Sequence, residues 1–182
     1  GIGSDFACAL TTDGELECWG SDDYLTVPDE TFTRLAVGRE FACVTSEGGD
    51  LHCFGDAAIA RRVPPDGPFP QLTAGEETIC WLDRDDRLEC WGPDTSSGDD
   101  AVDKPSASLT QISTGGTHGC GINKNATIAC WGHETDGAEG LRNPPSGTFR
   151  QVSAGWSVNC ALSTAGELTC WRRDGSDYPL EP

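Results

Sequence analysis

The chain has 182 residues, with 30 acidic against 12 basic side chains and a formal net charge of −18. That charge argues against binding DNA, RNA or an anionic membrane surface; it suits a cationic partner, divalent ions or a salty medium, or simply a solvated acidic surface. Hydrophobic content is 36%, with 23 glycines and 11 prolines, and no apolar run approaches the roughly eighteen residues of a membrane-spanning helix, so a folded, turn-rich chain without membrane insertion is expected.

The first recognisable element is a hairpin around Thr11-Thr12-Asp13-Gly14-Glu15. If Thr11 pairs with Glu15, Gly14 takes the left-handed position of a type I turn with a G1 bulge, a common three-residue hairpin loop. In that register Cys8 faces Cys18, Leu10 faces Leu16, and Ala7 faces Trp19. Directly opposed cysteines lie within disulfide reach, especially at a non-hydrogen-bonded pair.

The same hairpin recurs four more times. The cysteine pairs are Cys8/Cys18, Cys43/Cys53, Cys80/Cys90, Cys120/Cys130 and Cys160/Cys170, each with nine residues between its members and none left over. Zinc would call for tighter clusters such as Cys-x2-Cys, and none occurs, so no metal centre is expected. Ten paired cysteines point to an oxidising compartment, hence a secreted, extracellular or cell-surface protein. Residue 1 is Gly and the chain has no Met, the look of a processed product that has lost a signal peptide.

A glycine stands five residues before each first cysteine: Gly3, Gly38, Gly75, Gly115 and Gly155. Two residues before each second cysteine comes Leu16, Leu51, Leu88, Ile128 or Leu168, and just after it Trp19, Phe54, Trp91, Trp131 or Trp171. Leu and Cys on one face with an aromatic on the other mark a strand buried on both faces, so the aromatics read as core. Before each later hairpin a proline (Pro28, Pro65, Pro105, Pro145) leads a short alternating strand whose inward residues are Leu35, Leu72, Ile112 and Val152. Each unit therefore supplies three strands, with a fourth expected in stretches such as Ala58–Val63. The left-handed turn position is Gly14, Gly49, Asp86, Ala126 or Gly166; because Ala is poor there, the fourth hairpin is expected to use a different turn with the positive φ on Asn125. Asn125-Ala126-Thr127 is also a glycosylation sequon at an exposed tip.

The unit, with its Gly-x-x-His-x-Cys start and Cys-Trp-Gly end, resembles the regulator of chromosome condensation repeat, and in particular a disulfide-bearing variety found in secreted bacterial proteins. The fourth copy, GGTHGCGINKNATIACWGHETDGAEG, matches best: His118, Trp131-Gly132, Gly137 and Gly140 stand at the family positions, and Glu134 replaces the usual Asn. Elsewhere the histidine position holds Phe6, Phe41, Thr78 and Val158, and the last copy has Trp171-Arg172 instead of Trp-Gly. The resemblance implies an all-β fold, a β-propeller of five repeats of about 35–40 residues, each blade stapled by its hairpin disulfide. The repeats fall approximately at 1–27, 28–64, 65–104, 105–144 and 145–182 of a single domain. Family rings commonly have seven blades, so five units make either a small ring or an open part of a larger array. The first unit lacks its leading strand and the chain stops where another would start. A ring with an imperfect seam, a piece of a longer array, and subunits that complete one another at open edges are the arrangements to distinguish.

The family's nuclear function does not carry over, because neither the charge nor the disulfides suit chromatin. Its secreted relatives act as binding scaffolds. Catalysis finds no support: His52, His118 and His133 accompany no nucleophile motif. Calcium is the one cation that the acidic loops Ser21–Asp23 and Asp94–Asp100 would suit, though neither has EF-hand spacing, and no cofactor is expected. The binding candidates lie just after the marker glycines, where copies differ: Arg39, Glu40, Glu76, Glu77 and Trp156. Trp81, also off the repeat pattern, reads as packing. The expectation is a non-catalytic scaffold binding a protein or carbohydrate through its loop face. The alternatives are a structural subunit of an extracellular assembly, joined to copies of itself through its terminal blades, and a lyase-type propeller enzyme.

Overall fold

A computed structural model describes residues 1–20, 29–55, 67, 69–92, 104–132 and 139–174. The expected fourth strand at 58–63, both acidic loops, His133, Glu134, Gly137, Pro28 and Pro65 lie outside the described residues.

Five antiparallel sheets follow one another along the chain. The first pairs β1 (Phe6–Leu10) with β2 (Leu16–Gly20). The other four have three strands each: β3 (Phe32–Val37), β4 (Phe41–Ser46) and β5 (Leu51–Gly55); β6 (Leu72–Ala74), β7 (Ile79–Leu82) and β8 (Leu88–Trp91); β9 (Leu109–Thr114), β10 (His118–Asn123) and β11 (Ile128–Gly132); β12 (Phe149–Ala154), β13 (Val158–Ser163) and β14 (Leu168–Arg172). A 3-10 helix at Glu139–Arg142 precedes the last sheet. Within each three-stranded sheet the middle strand pairs with the leading strand on one side and the hairpin return on the other.

All five hairpins keep the expected register, with Cys8↔Cys18, Leu10↔Leu16 and Ala7↔Trp19 in the first and the cysteines directly opposed in the rest. Because Thr11 N–H donates to Glu15 O, alternation along the ladder makes Cys8/Cys18 a non-hydrogen-bonded pair, the closer kind. The disulfides are Cys8–Cys18, Cys43–Cys53, Cys80–Cys90, Cys120–Cys130 and Cys160–Cys170, with Cα atoms 4.0–4.1 Å apart and no cysteine free. Burial of the bridges is less even than the repeat suggests. Cys43 is fully buried, but its partner Cys53 departs from the expected two-faced burial and is only half-buried. Cys53 lies on the hairpin return β5 and packs against the cluster of Cys43, Leu51 and Trp81, whereas Cys90 and Cys170, on the same strand of their blades, are buried.

The turns correct a second expectation. The fourth hairpin uses the same turn as the others, and Ala126 itself carries the positive φ of 63°. Three forces hold it there. Ala126 N–H donates to Asn123 O, the Asn123 side-chain oxygen accepts from Asn125 and Thr127 N–H, and Ala126 O accepts from Phe149 N–H at the start of the next sheet. The first turn residue does the same work in every copy: Thr11, Ser46, Asp83, Asn123 and Ser163 each accept the backbone N–H four residues on. Phe32 and Leu109 likewise donate to Gly14 O and Asp86 O. Each of these turns thus fastens the next blade, and that linkage outweighs the cost of a left-handed alanine.

Successive blades stack face to face in chain order, with leading strands β3, β6, β9 and β12 side by side. One face of a blade carries its disulfide and leucines; the next blade covers it with an aromatic and its leading strand. Cys80, Leu82, Leu88 and Cys90 pack on Leu109, Ile112 and Trp131. Cys120 and Ile122 pack on Phe149, Val152 and Trp171. Leu51 and the Cys43–Cys53 bridge meet Phe69, Ile79 and Trp81, where Trp81 is buried with its ring edge-on to Phe69 and Trp91. The aromatics Phe54, Trp131 and Trp171 are 7%, 2% and 2% exposed. Trp19 departs from the expected core role at 55% exposure, because among the described residues no blade stands against its side of the first sheet.

Polar clamps run between the leading strands. Ile112 N–H donates to Gln71 Oε1 at 2.9 Å while the Gln71 amide nitrogen donates to Thr110 O. One blade on, Val152 N–H donates to Gln111 Oε1 at 2.9 Å and Gln111 Nε2 donates to Val152 O at 3.3 Å. Two residues further along, Thr114 N–H donates to the Thr73 hydroxyl and Ala154 N–H to the Ser113 hydroxyl. These residues satisfy strand edges that would otherwise be buried unpaired.

Two stability outcomes follow. Replacing Cys120 and Cys130 together by Ala lowers the unfolding free energy in urea by about 3 kcal/mol, since a short loop in the denatured chain is freed. Ala126→Gly raises it by about 1 kcal/mol, because the left-handed strain is relieved while every turn hydrogen bond stays.

Candidate interaction rim

The end of the blades opposite the hairpin turns is organised by the marker glycines. In each copy the glycine N–H donates to the carbonyl three residues on: Gly3 to Phe6, Gly38 to Phe41, Gly75 to Thr78, Gly115 to His118 and Gly155 to Val158, at 2.7–2.9 Å. The result is a tight two-residue loop between leading and middle strands. The first loop residues are then chained from blade to blade. Ser4 N–H donates to Arg39 O at 2.8 Å, Arg39 N–H to Glu76 O at 3.1 Å, and Glu76 N–H to Gly116 O at 3.2 Å. A backbone belt therefore crosses four blades.

The second loop residues, Asp5, Glu40, Glu77, Thr117 and Ser157, are all exposed. Their orientation depends on the glycine after the aromatic. Gly20 and Gly55 have φ of 114° and 106°, and a Cβ on either would meet Asp5 O at 2.3 Å or Glu40 O at 2.4 Å. Only glycine lets the loop lie flat against the hairpin return. In the last blade Arg172 replaces it, and Arg173 N–H instead donates to Ser157 O at 3.3 Å.

Four of the expected binding residues come together here. The Arg39 guanidinium pairs with the Glu76 carboxylate and lies 3.6 Å from Glu40. Glu40 and Glu77 are exposed beside that pair. Trp156 sits at the far end of the rim, 65% exposed, with its indole over Gly116, where an added Cβ would lie 3.2 Å from the ring. Asn125 lies at the opposite end, exposed in its turn. Among the described residues no group of three or more His, Cys, Asp or Glu is placed to hold a metal ion.

The two described histidines differ in how the fold holds them. His52 Nε2 lies 3.1 Å from Glu30, and its ring meets Phe32 edge-on. His118 is buried, with Nε2 2.7 Å from the Asn159 side-chain oxygen; Asn159 in turn donates to Leu141 O. That second bond orients the amide, so His118 is the Nε2–H donor. This bridge joins the fourth and fifth blades and also binds Leu141, whose carbonyl accepts from Trp171 Nε1–H. Asn159 gave no signal in the sequence, being one polar residue in a buried strand. Only its partner's place in the repeat hinted at it.

Burial lowers the His118 pKa below 6.5, with the Asn159 hydrogen bond opposing and nearby Arg173 adding to the shift. The unfolded chain then binds the proton more readily than the folded one. Stability contributed at this site is complete above pH about 6.5 and is lost as pH falls toward the folded-state pKa. The unfolding free energy of His118→Gln, which keeps a donor, is therefore expected to change less between pH 7 and pH 5 than that of the parent, as read by urea titration at each pH.

Comparisons with known proteins agree with this geometry. A family profile, Regulator of chromosome condensation (RCC1) repeat, matches residues 1–24. No curated protein sequence matches the chain. Among solved structures, the chain is similar to the ectodomain of the Physcomitrella patens receptor kinase CR4, with a TM-score of 0.77 and 25% identity over 93% of this chain and 50% of that one. It is also similar to the CRINKLY WD40 ectodomain of the Arabidopsis thaliana receptor kinase ACR4, at 0.75 and 26%, over 99% and 65%. Yeast RCC1 (Prp20), solved bound to Kap60, superposes at 0.73 with 16% identity, over 93% and 54%, a likeness of fold. The chain thus spans between half and two thirds of the length of these proteins. With the same register in all five hairpins, the chain is an all-β array of five β-propeller blades, the first of which is similar to the RCC1 repeat.

Proposed function

We propose that the chain is a non-catalytic, extracellular binding scaffold that holds a cationic protein segment on the rim formed by Asp5, Glu40, Glu77 and Trp156. The backbone belt from Ser4 to Gly116 carries this reading. It fixes loops from successive blades on one surface, so that residues far apart in sequence form a rigid site already ordered before binding. Exposed carboxylates with one exposed indole suit lysine- or arginine-bearing segments, by charge steering and by cation–π contact. Five disulfides and the likeness to two receptor ectodomains support an extracellular setting. The commitment of buried His118 to a structural hydrogen bond supports a scaffold rather than an enzyme.

A displayed library of random peptides, selected on the immobilised disulfide-intact chain, tests this. Lysine- and arginine-rich binders are expected, with affinity falling about tenfold or more for Trp156→Ala and for Glu40→Lys with Glu77→Lys, at unchanged melting temperature. Binders that tolerate both changes place the site elsewhere. Binding on a glycan array that is lost with Trp156→Ala, with no peptide selected, replaces the protein ligand by a carbohydrate.

A further inference from the structure

A side-chain bridge crosses the junction of the fourth and fifth blades, where His118 Nε2–H donates to the Asn159 side-chain oxygen. Between the second and third blades Phe41 and Ile79 occupy the same two repeat positions and pack in one cluster. Between the third and fourth blades these positions hold Thr78 and Gly119. Thr78 is too short to reach across. Gly119 has no side chain, and the Trp131 ring takes the room that one would need, an added Cβ lying 2.5 Å from Cζ2. The junction of the third and fourth blades is therefore left hollow.

The hollow is a cavity of about 30 Å³ at the rim end of the two blades, lined by Gly75 and Thr78 of the third and by Gly116, Thr117, His118 and Trp131 of the fourth. That volume suits one ammonium-sized polar head and is too small for a planar guanidinium. His118 is 5% exposed, and its Nε2–H is spent on Asn159. Its Nδ1 is then a lone-pair acceptor, and among the described residues it has no hydrogen-bond partner. Thr78 adds a hydroxyl oxygen as a second acceptor. Two groups of the rim adjoin the lining: exposed Glu77 precedes Thr78 in its loop, and the indole of Trp156 lies over Gly116.

We propose, resting on the reading of the rim as a site for a cationic segment, that this cavity is a socket for a primary ammonium group and receives the ε-ammonium of one lysine of that segment. The ammonium donates to His118 Nδ1 and to the Thr78 hydroxyl, and the Trp131 ring adds cation–π attraction. Glu77 supplies the compensating charge beside the loop. The unbranched lysine stem passes over Gly116 beside the Trp156 indole, which covers its methylenes. His118 must be neutral to accept, and burial keeps it so at pH 7 by holding its pKa below the usual 6.5. The rim then distinguishes lysine from arginine at one position, because only the ammonium enters.

NMR on the isotope-labelled, disulfide-intact chain tests the socket, with n-butylammonium chloride as the probe and n-propylguanidinium chloride as its counterpart. Butylammonium is expected to give saturable shifts at the Thr78 and Gly116 amides and at the His118 ring nitrogens, with the millimolar affinity that so few atoms allow. Propylguanidinium is expected to bind about tenfold or more weakly. Thr78→Leu, which fills the cavity, removes the butylammonium shifts while the amides of the other blades stay in place. No saturable shift at roughly 100 mM butylammonium, two tenfold steps beyond a millimolar site, overturns the socket. Equal binding of the guanidinium, or shifts that survive Thr78→Leu, overturn it too. Peptides that bind in a Trp156-dependent way but accept arginine for lysine at every position leave the rim standing and overturn the lysine socket. Absence of any such peptide overturns the rim reading alone, since butylammonium reads the socket directly.

Discussion

Each blade has two unlike faces, and neither can be buried by the blade that carries it. One offers a disulfide and leucines, the other an aromatic and a leading strand. Three twisted strands enclose no core of their own, so the apolar interior exists only where one blade's disulfide face meets the next blade's aromatic, as where Trp131 lies on Leu82, Leu88 and the Cys80–Cys90 bridge. Stability in such an array is a sum of blade and interface contributions. The disulfides fit that arrangement: each holds a hairpin in register, so the face it carries is ready-made when the neighbour arrives.

The glutamine clamps and the hairpin turns extend the same logic to polar groups. Leading strands of adjacent blades lie side by side without forming a ladder, and Gln71 and Gln111 fill that gap with side-chain amides. On the rim the backbone itself makes the link, from Ser4 through Arg39 and Glu76 to Gly116. The loops are therefore stiff at their base and free to differ in side chain, which is the division of labour a recognition scaffold needs.

Much of this was legible from residue order. The cysteine spacing and the turn gave the register of all five hairpins, and period-two alternation gave the buried strands, because both are local consequences of strand geometry. Cys53 and Ala126 show where local reasoning failed. Alternation put Cys53 on a fully buried face, yet it is half-buried while Cys90 and Cys170 at the same repeat position are buried. The intrinsic preference of Ala126 opposes a positive φ, but its carbonyl is needed by Phe149 of the next blade, a demand that no window around the turn contains. The clamps were visible only as an unremarked Gln ahead of Leu72, Ile112 and Val152 in successive copies. Arg39 and Glu76 stand out from loop position, but not as a pair: they are 37 residues apart and meet only because blades stack.

The sequence by itself determined the unit: a disulfide-stapled hairpin with a leading strand, repeated five times, in an acidic chain. Those features follow from neighbours a few residues apart. Only the tertiary structure decided which copies of the same residue are core and which are surface. Trp19 and Trp131 share one repeat position, yet one is 55% exposed and the other 2%, because burial depends on whether another blade stands opposite, and that is a property of the stack and not of the repeat.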